Sequence, residues 1–341
     1  MKKFTAITVA IIFALFSFIS CEKGPLGAGA GAAQAEEMLR LLPQDVAAVF
    51  FIDVQRILTL EAVDKLVNKK MEDKEFEEFM DYQKFVDMTG IELKKDVYFV
   101  AAAMKEGEET EGEHEWAVGV INLKYDKEAL LSFIKAKTEE TGSELTEEEY
   151  NGYTLYNYKE EDEEGTFAFI DKSNIAAGNG SLVKSVIDVL QKKEESVLQS
   201  EKFSALFKDT NKNALFWGGV LIPPEATAAL SEEIPMAYNL ESVQAVSLSF
   251  DYKNRTIMAE IKLRSSDPVS NQEMADNLIG LKEMGSMITI QDFNFAEVLD
   301  RIEITSAPDH VRIYASYPDD FFNDFISKFT LKETEEEKEK K

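Results

Sequence analysis

The chain has 341 residues, with 37 Lys and Arg against 64 Asp and Glu, two His, one Cys and 45% hydrophobic residues. That apolar fraction supports the core of one large or two ordinary domains and excludes a chain disordered throughout. A formal charge of −27 opposes nucleic acid, whose phosphates need Lys and Arg to neutralise them, and a lone Cys excludes an internal disulfide and a cysteine zinc cage.

Lys2 and Lys3 precede a largely apolar run from Phe4 to Ile19, whose 16 residues are short for a membrane span and suit the core of a secretory signal. The run meets Ser20 and then Cys21, the single cysteine. A small residue before the cysteine at the end of a signal resembles the lipobox of bacterial lipoproteins, although Phe18 stands where that family usually has Leu. The resemblance implies cleavage before Cys21, lipidation of its thiol, and attachment of the protein to a membrane through that lipid. It also implies a sorting code in which Asp after the cysteine retains the protein in the inner membrane. Glu22 is not Asp, so the expected location is the outer membrane, facing the periplasm. Loss of residues 1–20 removes two Lys and no acid, taking the charge from −27 to −29. The Gly/Ala-rich stretch that follows has the composition of a flexible spacer.

Asp45 leads into an apolar run, Val46 to Ile52, of strand length and rich in β-formers. Two helical segments follow, one with Ile57, Leu58, Ala62, Leu66 and Val67 on a face, the other with Phe76, Phe79, Met80, Phe85 and Val86, stopped by Gly90. Val97 to Ala103 and Trp116 to Leu123 read as a hairpin with an acidic tip. Asp126 can cap a helix bearing Ala129, Leu130, Phe133 and Ile134. Tyr153 to Tyr158 pairs with Phe167 to Ile170 across a second acidic tip, and after Ile175 to Ala177 a helix opens at Ser181 with Leu182, Val183, Val186, Ile187 and Leu190 at helical spacing.

The second part of the chain repeats that order: an apolar strand from Ala214 to Ile222, then a helix, then a hairpin of Val243 to Tyr252 with Ile257 to Leu263. Next come a helix opened by Pro268, a hairpin around Pro308-Asp309, and a last helix opened by Pro318 with Phe321, Phe322, Phe325, Ile326 and Phe329. The expected fold is α+β, with two similar halves, each an antiparallel sheet packed with helices. Residues 1–20 are assigned to the signal peptide, 21–37 to the tether, 38–200 and 201–331 to the two halves, and 332–341 to a disordered charged tail.

Leu42-Pro43-Gln44-Asp45 opening into a buried strand, with Phe167 to Ser173, Gly178 and the helix after it, resembles a broad, functionally uncharacterised family of exported bacterial proteins. Its motifs are structural, so no catalytic or binding residue comes with the resemblance.

Candidate chemistry is sparse. Glu113-His114-Glu115 puts three ligand types in a row, but neighbours in sequence diverge on either a strand or a helix. Asp309-His310 follows Pro308, where turn chemistry alone explains Asp. The runs Glu106 to Glu109, Glu147 to Glu149 and Glu160 to Glu164 lack the alternation and Gly of a calcium loop, and Gly178-Asn179-Gly180-Ser181 lacks the lysine of a phosphate loop. Phe293, Phe295, Phe321, Phe322, Phe325 and Phe329 suit a core more than a ligand groove. The chain is therefore expected to be a non-catalytic, lipid-anchored binding or structural module of the bacterial envelope, without a cofactor. Its partner would be an envelope protein, and the alternative is a carrier of a lipid or other apolar ligand.

Overall fold

A computed structural model describes residues 30–60, 63, 77–105, 117–160, 163–224, 240–287, 289–290 and 293–321. These form two compact units, one ending at Ser204 and the other starting at Ala205.

The first unit opens with α1 (Ala30–Leu39), inside the stretch expected to serve as spacer through residue 37. Ala35, Met38 and Leu39 are all but fully buried. Alanine is the strongest helix former, and the i, i+3, i+4 spacing of these three residues makes one apolar stripe, which overrides the spacer-like composition. The sequence left between Cys21 and α1 is therefore the eight residues 22–29, not a tether reaching residue 37.

Then come β1 (Ala48–Asp53), α2 (Val54–Leu58), α3 (Glu77–Thr89), α4 (Leu93–Asp96), β2 (Val97–Met104), β3 (Ala117–Leu123), α5 (Lys127–Thr141), β4 (Glu144–Tyr150), β5 (Tyr153–Glu160), β6 (Glu163–Phe169), β7 (Asn174–Gly178) and α6 (Gly180–Leu190). The strands pair antiparallel in the order β1-β2-β3-β7-β6-β5-β4.

Side chains alternate across a strand, so register fixes two faces. Val49 and Phe51, Ala101 and Ala103, Val118 and Val120, Ala176, Ala168 and Leu155 line one face and are almost wholly buried. Over them lie Leu182, Val183, Val186 and Ile187 of α6. Fully burying a side chain such as Phe51 contributes about 2–3 kcal/mol. The other face carries Tyr156 and Phe167, which stack, and Phe169, which meets both edge-on, and α5 leans over it through the Lys135–Glu147 ion pair. Asp126 caps α5, its Oδ1 accepting from Ala129 N at 2.8 Å, as the sequence implies. The cap of α6 is Asn179 rather than Ser181: Asn179 Oδ1 accepts from both the N–H and the hydroxyl of Ser181.

The second unit holds β8 (Phe216–Leu221), β9 (Ala245–Lys253), β10 (Thr256–Arg264), α8 (Pro268–Ser286), β11 (Thr289–Ile290), β12 (Phe293–Asn294), α9 (Ala296–Leu299), β13 (Ile302–Ala307) and β14 (His310–Pro318), after α7 (Glu201–Leu206) has carried the chain across the boundary. Its sheet order is β8-β9-β10-β14-β13, again antiparallel. With β8, β9 and β10 set against β1, β2 and β3, the last strand of each unit returns beside the third, and its hairpin partner lies outside it. The two units thus share a strand order, and the first adds the β4–β5 hairpin at its outer edge. Met274 and Ala275 of α8 pack with Val243 and Val311. Asn271, fully buried, donates from Nδ2 to the carbonyls of Ser265, Ala307 and Pro308 and so pins the helix to the β13–β14 turn.

Candidate functional site

Of the chemistry-bearing residues singled out in the sequence, Cys21, Glu113, His114, Glu115, Phe322, Phe325 and Phe329 lie outside the described residues. Glu147 and Glu148 sit on β4 and point to opposite faces, Glu147 to Lys135 at 3.0 Å and Glu148 to Lys184 at 2.8 Å, so the run does not converge on an ion. Glu160 and Glu163 are opposed across the β5–β6 turn. Phe321 stacks on Tyr317 with ring centroids 5.3 Å apart, beneath the Arg301 guanidinium. Among the described residues no three His, Cys, Asp or Glu side chains gather as metal ligands.

Asp309 and His310 open into the densest charged network described. Register places Lys262 opposite Arg312 and Arg264 opposite His310 across β10 and β14, with Glu260 two residues before Lys262 on the same face. Like charges directly opposed on antiparallel strands repel, so this block needs anions over it. They come from four places, the farthest being Glu303, whose carboxylate lies 3.9 Å from Arg312 Nη1. Asp209, in the segment before β8, ligates Lys262 Nζ at 3.1 Å and Arg264 Nη2, while its carbonyl accepts from Lys262 at 2.9 Å. Glu260 pairs with Lys262 at 3.2 Å and with Arg312 at 2.5 Å. Asp309 takes Arg264 at 3.7 Å and His310 Nδ1 at 2.7 Å.

Burial alone would raise the Asp209 carboxyl, but Lys262 and Arg264 outweigh it and hold it below its usual range. His310 does the same for Asp309. His310 has Asp309 as its hydrogen-bond partner among the described residues, so no hydroxyl nucleophile completes a triad there. The network's evident work is to clamp the segment before β8 onto the sheet. Leu206 packs over Gly219 and Phe207 meets Trp217 edge-on at 5.0 Å beside the same block.

Replacing Asp209 by Ala is expected to cost about 1–3 kcal/mol, because Lys262, only 6% exposed, loses a carboxylate. Asp209→Asn, which keeps an acceptor, should lose less. Urea unfolding of the two variants checks the order, and equal stability of Asp209→Ala and the parent chain would refute the clamp.

The alternation Glu260-x-Lys262-x-Arg264 and His310-x-Arg312 is a two-residue charge period that a strand reading could have exposed. Asp209 was not legible, since it lies more than fifty residues from its partners.

A family model described as "Protein of unknown function (DUF3352)" matches residues 4–280, from the start of the N-terminal apolar run through most of α8. The chain belongs to this family. No curated protein matches the sequence. Among solved structures, crystal forms III, I and IV of TP0453 share 11%, 10% and 11% identity with it. Each covers 85% of this chain, and 98%, 96% and 96% of TP0453, with TM-scores of 0.47, 0.44 and 0.45.

Proposed function

We propose that this member of the family is a lipoprotein of the bacterial envelope, held to a membrane through acyl chains on Cys21 and acting by binding rather than by catalysis. The observation that carries the reading is the solitary cysteine placed directly after Ser20, at the end of the Phe4 to Ile19 run. An exported chain with one cysteine has no internal disulfide to make with it. Each buried methylene contributes about 0.8 kcal/mol, so two or three acyl chains hold a body of charge −29 that the bilayer would otherwise repel. The reading takes Asp309 and His310 as part of the charged clamp rather than as a catalytic pair, since Asp309 also reaches Arg264 at 3.7 Å. An outer-membrane location follows from Glu22 in place of Asp.

Cys21→Ser is the test. The parent protein should sediment with membranes and incorporate labelled palmitate. The variant should take up no label and should keep residues 1–20, while the far-UV circular dichroism of its folded part stays unchanged. A variant that still takes up label, or a parent that takes up none, would overturn the reading.

A further inference from the structure

On β10, Leu263, Ile261, Ala259 and Ile257 lie two residues apart, so they share one face of the second unit's sheet. Register puts Leu248 and Ile313 beside Ile261, Phe250 and Ala315 beside Ala259, and Tyr317 beside Ile257. The face is therefore apolar from the Leu263 end to the Ile257 end.

Its two ends are closed. At one, α8 packs on Val311, which register sets beside Leu263. At the other, Ile257 and Tyr317 are 3% and 8% exposed. The stretch between them is more open. Leu248, Phe250, Ala259, Ile313 and Ala315 are only partly buried, and Ile261, although it stands on an interior strand, is 39% exposed. Single apolar residues at a surface need no explanation, but a contiguous patch across β9, β10 and β14 calls for a cover.

The chain itself arrives at this patch. β14 ends at Pro318, and Phe321 stacks on Tyr317 with ring centroids 5.3 Å apart, so the backbone has turned onto the apolar side by Phe321. Residues 322–331 lie outside the described ones, and their sequence carries Phe322, Phe325, Ile326 and Phe329 at helical spacing. As a helix, residues 322–331 would span about 15 Å. The path along β14 from Tyr317 back to Ile313 is about 14 Å. A segment joined to β14 without a linker also meets the patch at a high effective concentration, an advantage that a free apolar ligand lacks.

We infer that residues 322–331 fold back as an amphipathic helix and dock on the patch formed by Leu248, Phe250, Ala259, Ile261, Ile313 and Ala315. The inference is independent of anchoring at Cys21. It makes this apolar face part of the protein's own core rather than a binding site for a lipid.

The test is a double-mutant cycle in the full chain, with Trp116→Phe so that Trp217 reports the unfolding of the second unit in urea. Ile261→Ala and Phe325→Ala should each lower the folding equilibrium constant about tenfold. Together they should lower it by clearly less than the product of the two effects, because losing one partner leaves less for the other to lose. Lys328→Ala, paired with Ile261→Ala, is the control and should be additive. A chain ending at Phe321 should bind the apolar dye ANS several times more strongly than the full chain, whereas a chain lacking only residues 332–341 should not. The cycle decides the matter if the shortened chain does not fold. Additivity of Ile261→Ala with Phe325→Ala would overturn the docking. So would a full chain that binds one fluorescent fatty acid per molecule and loses it in Ile261→Lys, or that forms a dimer broken by Ile261→Lys, since a lipid or a second copy would then hold the patch.

Discussion

Gly178→Ala is expected to destabilise the first unit by about 2–5 kcal/mol, the sum of a strained backbone and an overpacked contact. Gly178 ends β7 with φ of 146°, a conformation that L side chains rarely adopt. A methyl group there would lie 2.2 Å from the carbonyl oxygen of Ala117 and 2.8 Å from Val118 Cα. Both obstacles are backbone atoms of the neighbouring strand, so no side chain can rotate aside. The same carbonyl accepts from Asn179 N at 2.8 Å, which ties the start of α6 to β3. Chemical denaturation should show a lower midpoint with an unchanged slope. Gly165→Ala on β6, where the added methyl meets nothing within 4 Å, serves as the control and should shift the midpoint little.

Asp319→Ala should cost the second unit about 2–4 kcal/mol. The Asp319 side chain is 2% exposed and accepts from Arg255 Nε and Nη2 at 3.0–3.1 Å and from Tyr252 OH at 2.8 Å. It thereby joins the end of β14 to the two-residue turn at Asn254 and Arg255, both at positive φ. Removing it takes away the buried carboxylate that two Arg255 nitrogens and the Tyr252 hydroxyl share; Arg255 is partly exposed, which keeps the cost below that of a fully buried pair.

The same carboxylate predicts an acid transition. Burial alone would raise Asp319, but Arg255 and Tyr252 bring it below its ordinary 3.8, and Asp171, Asp209 and Asp309 are lowered as well. Each titrates lower in the folded chain than in the unfolded one. Their stabilisation is therefore complete above pH 3.8 and is lost as the pH falls through the lower folded values. Unfolding free energy measured from pH 6 to 2 should drop mainly below 4, and the drop should shrink in Asp319→Ala. A flat profile would contradict the assignment.

Most of the architecture was legible because it rests on local pattern. The apolar run before Asp53, the alternation in β5, the cap at Asp126, the helix opened by Pro268 and the stop at Gly90 are each decided by residues within one turn or one strand. Among the elements that the sequence pattern did not reveal, β4 and α1 were missed for opposite reasons. β4 reads Glu-Leu-Thr-Glu-Glu-Glu-Tyr, a solvated charge run by composition, yet it pairs along its whole length with β5. As an outer strand it can leave its glutamates in water, and the Asn151-Gly152 turn, with φ of 51° and 82°, was the available signal. α1 was hidden by glycines that suggest flexibility, although Ala35, Met38 and Leu39 already carried the helical period.

The charged block was harder to see than the strands that carry it. β10 and β14 declare themselves by apolar alternation, but the meaning of Lys262 and Arg264 depends on Asp209, which only the folded chain brings to them.

The central claim, attachment through Cys21, is tested most directly by mass spectrometry of the N-terminal peptide from membrane-extracted protein. The account predicts a mature chain beginning at Cys21 and carrying diacylglyceryl mass, with or without a further acyl group on the new amine. A peptide that retains residues 1–20 next to a free thiol, or an unmodified Cys21 on protein recovered in the soluble fraction, would contradict it.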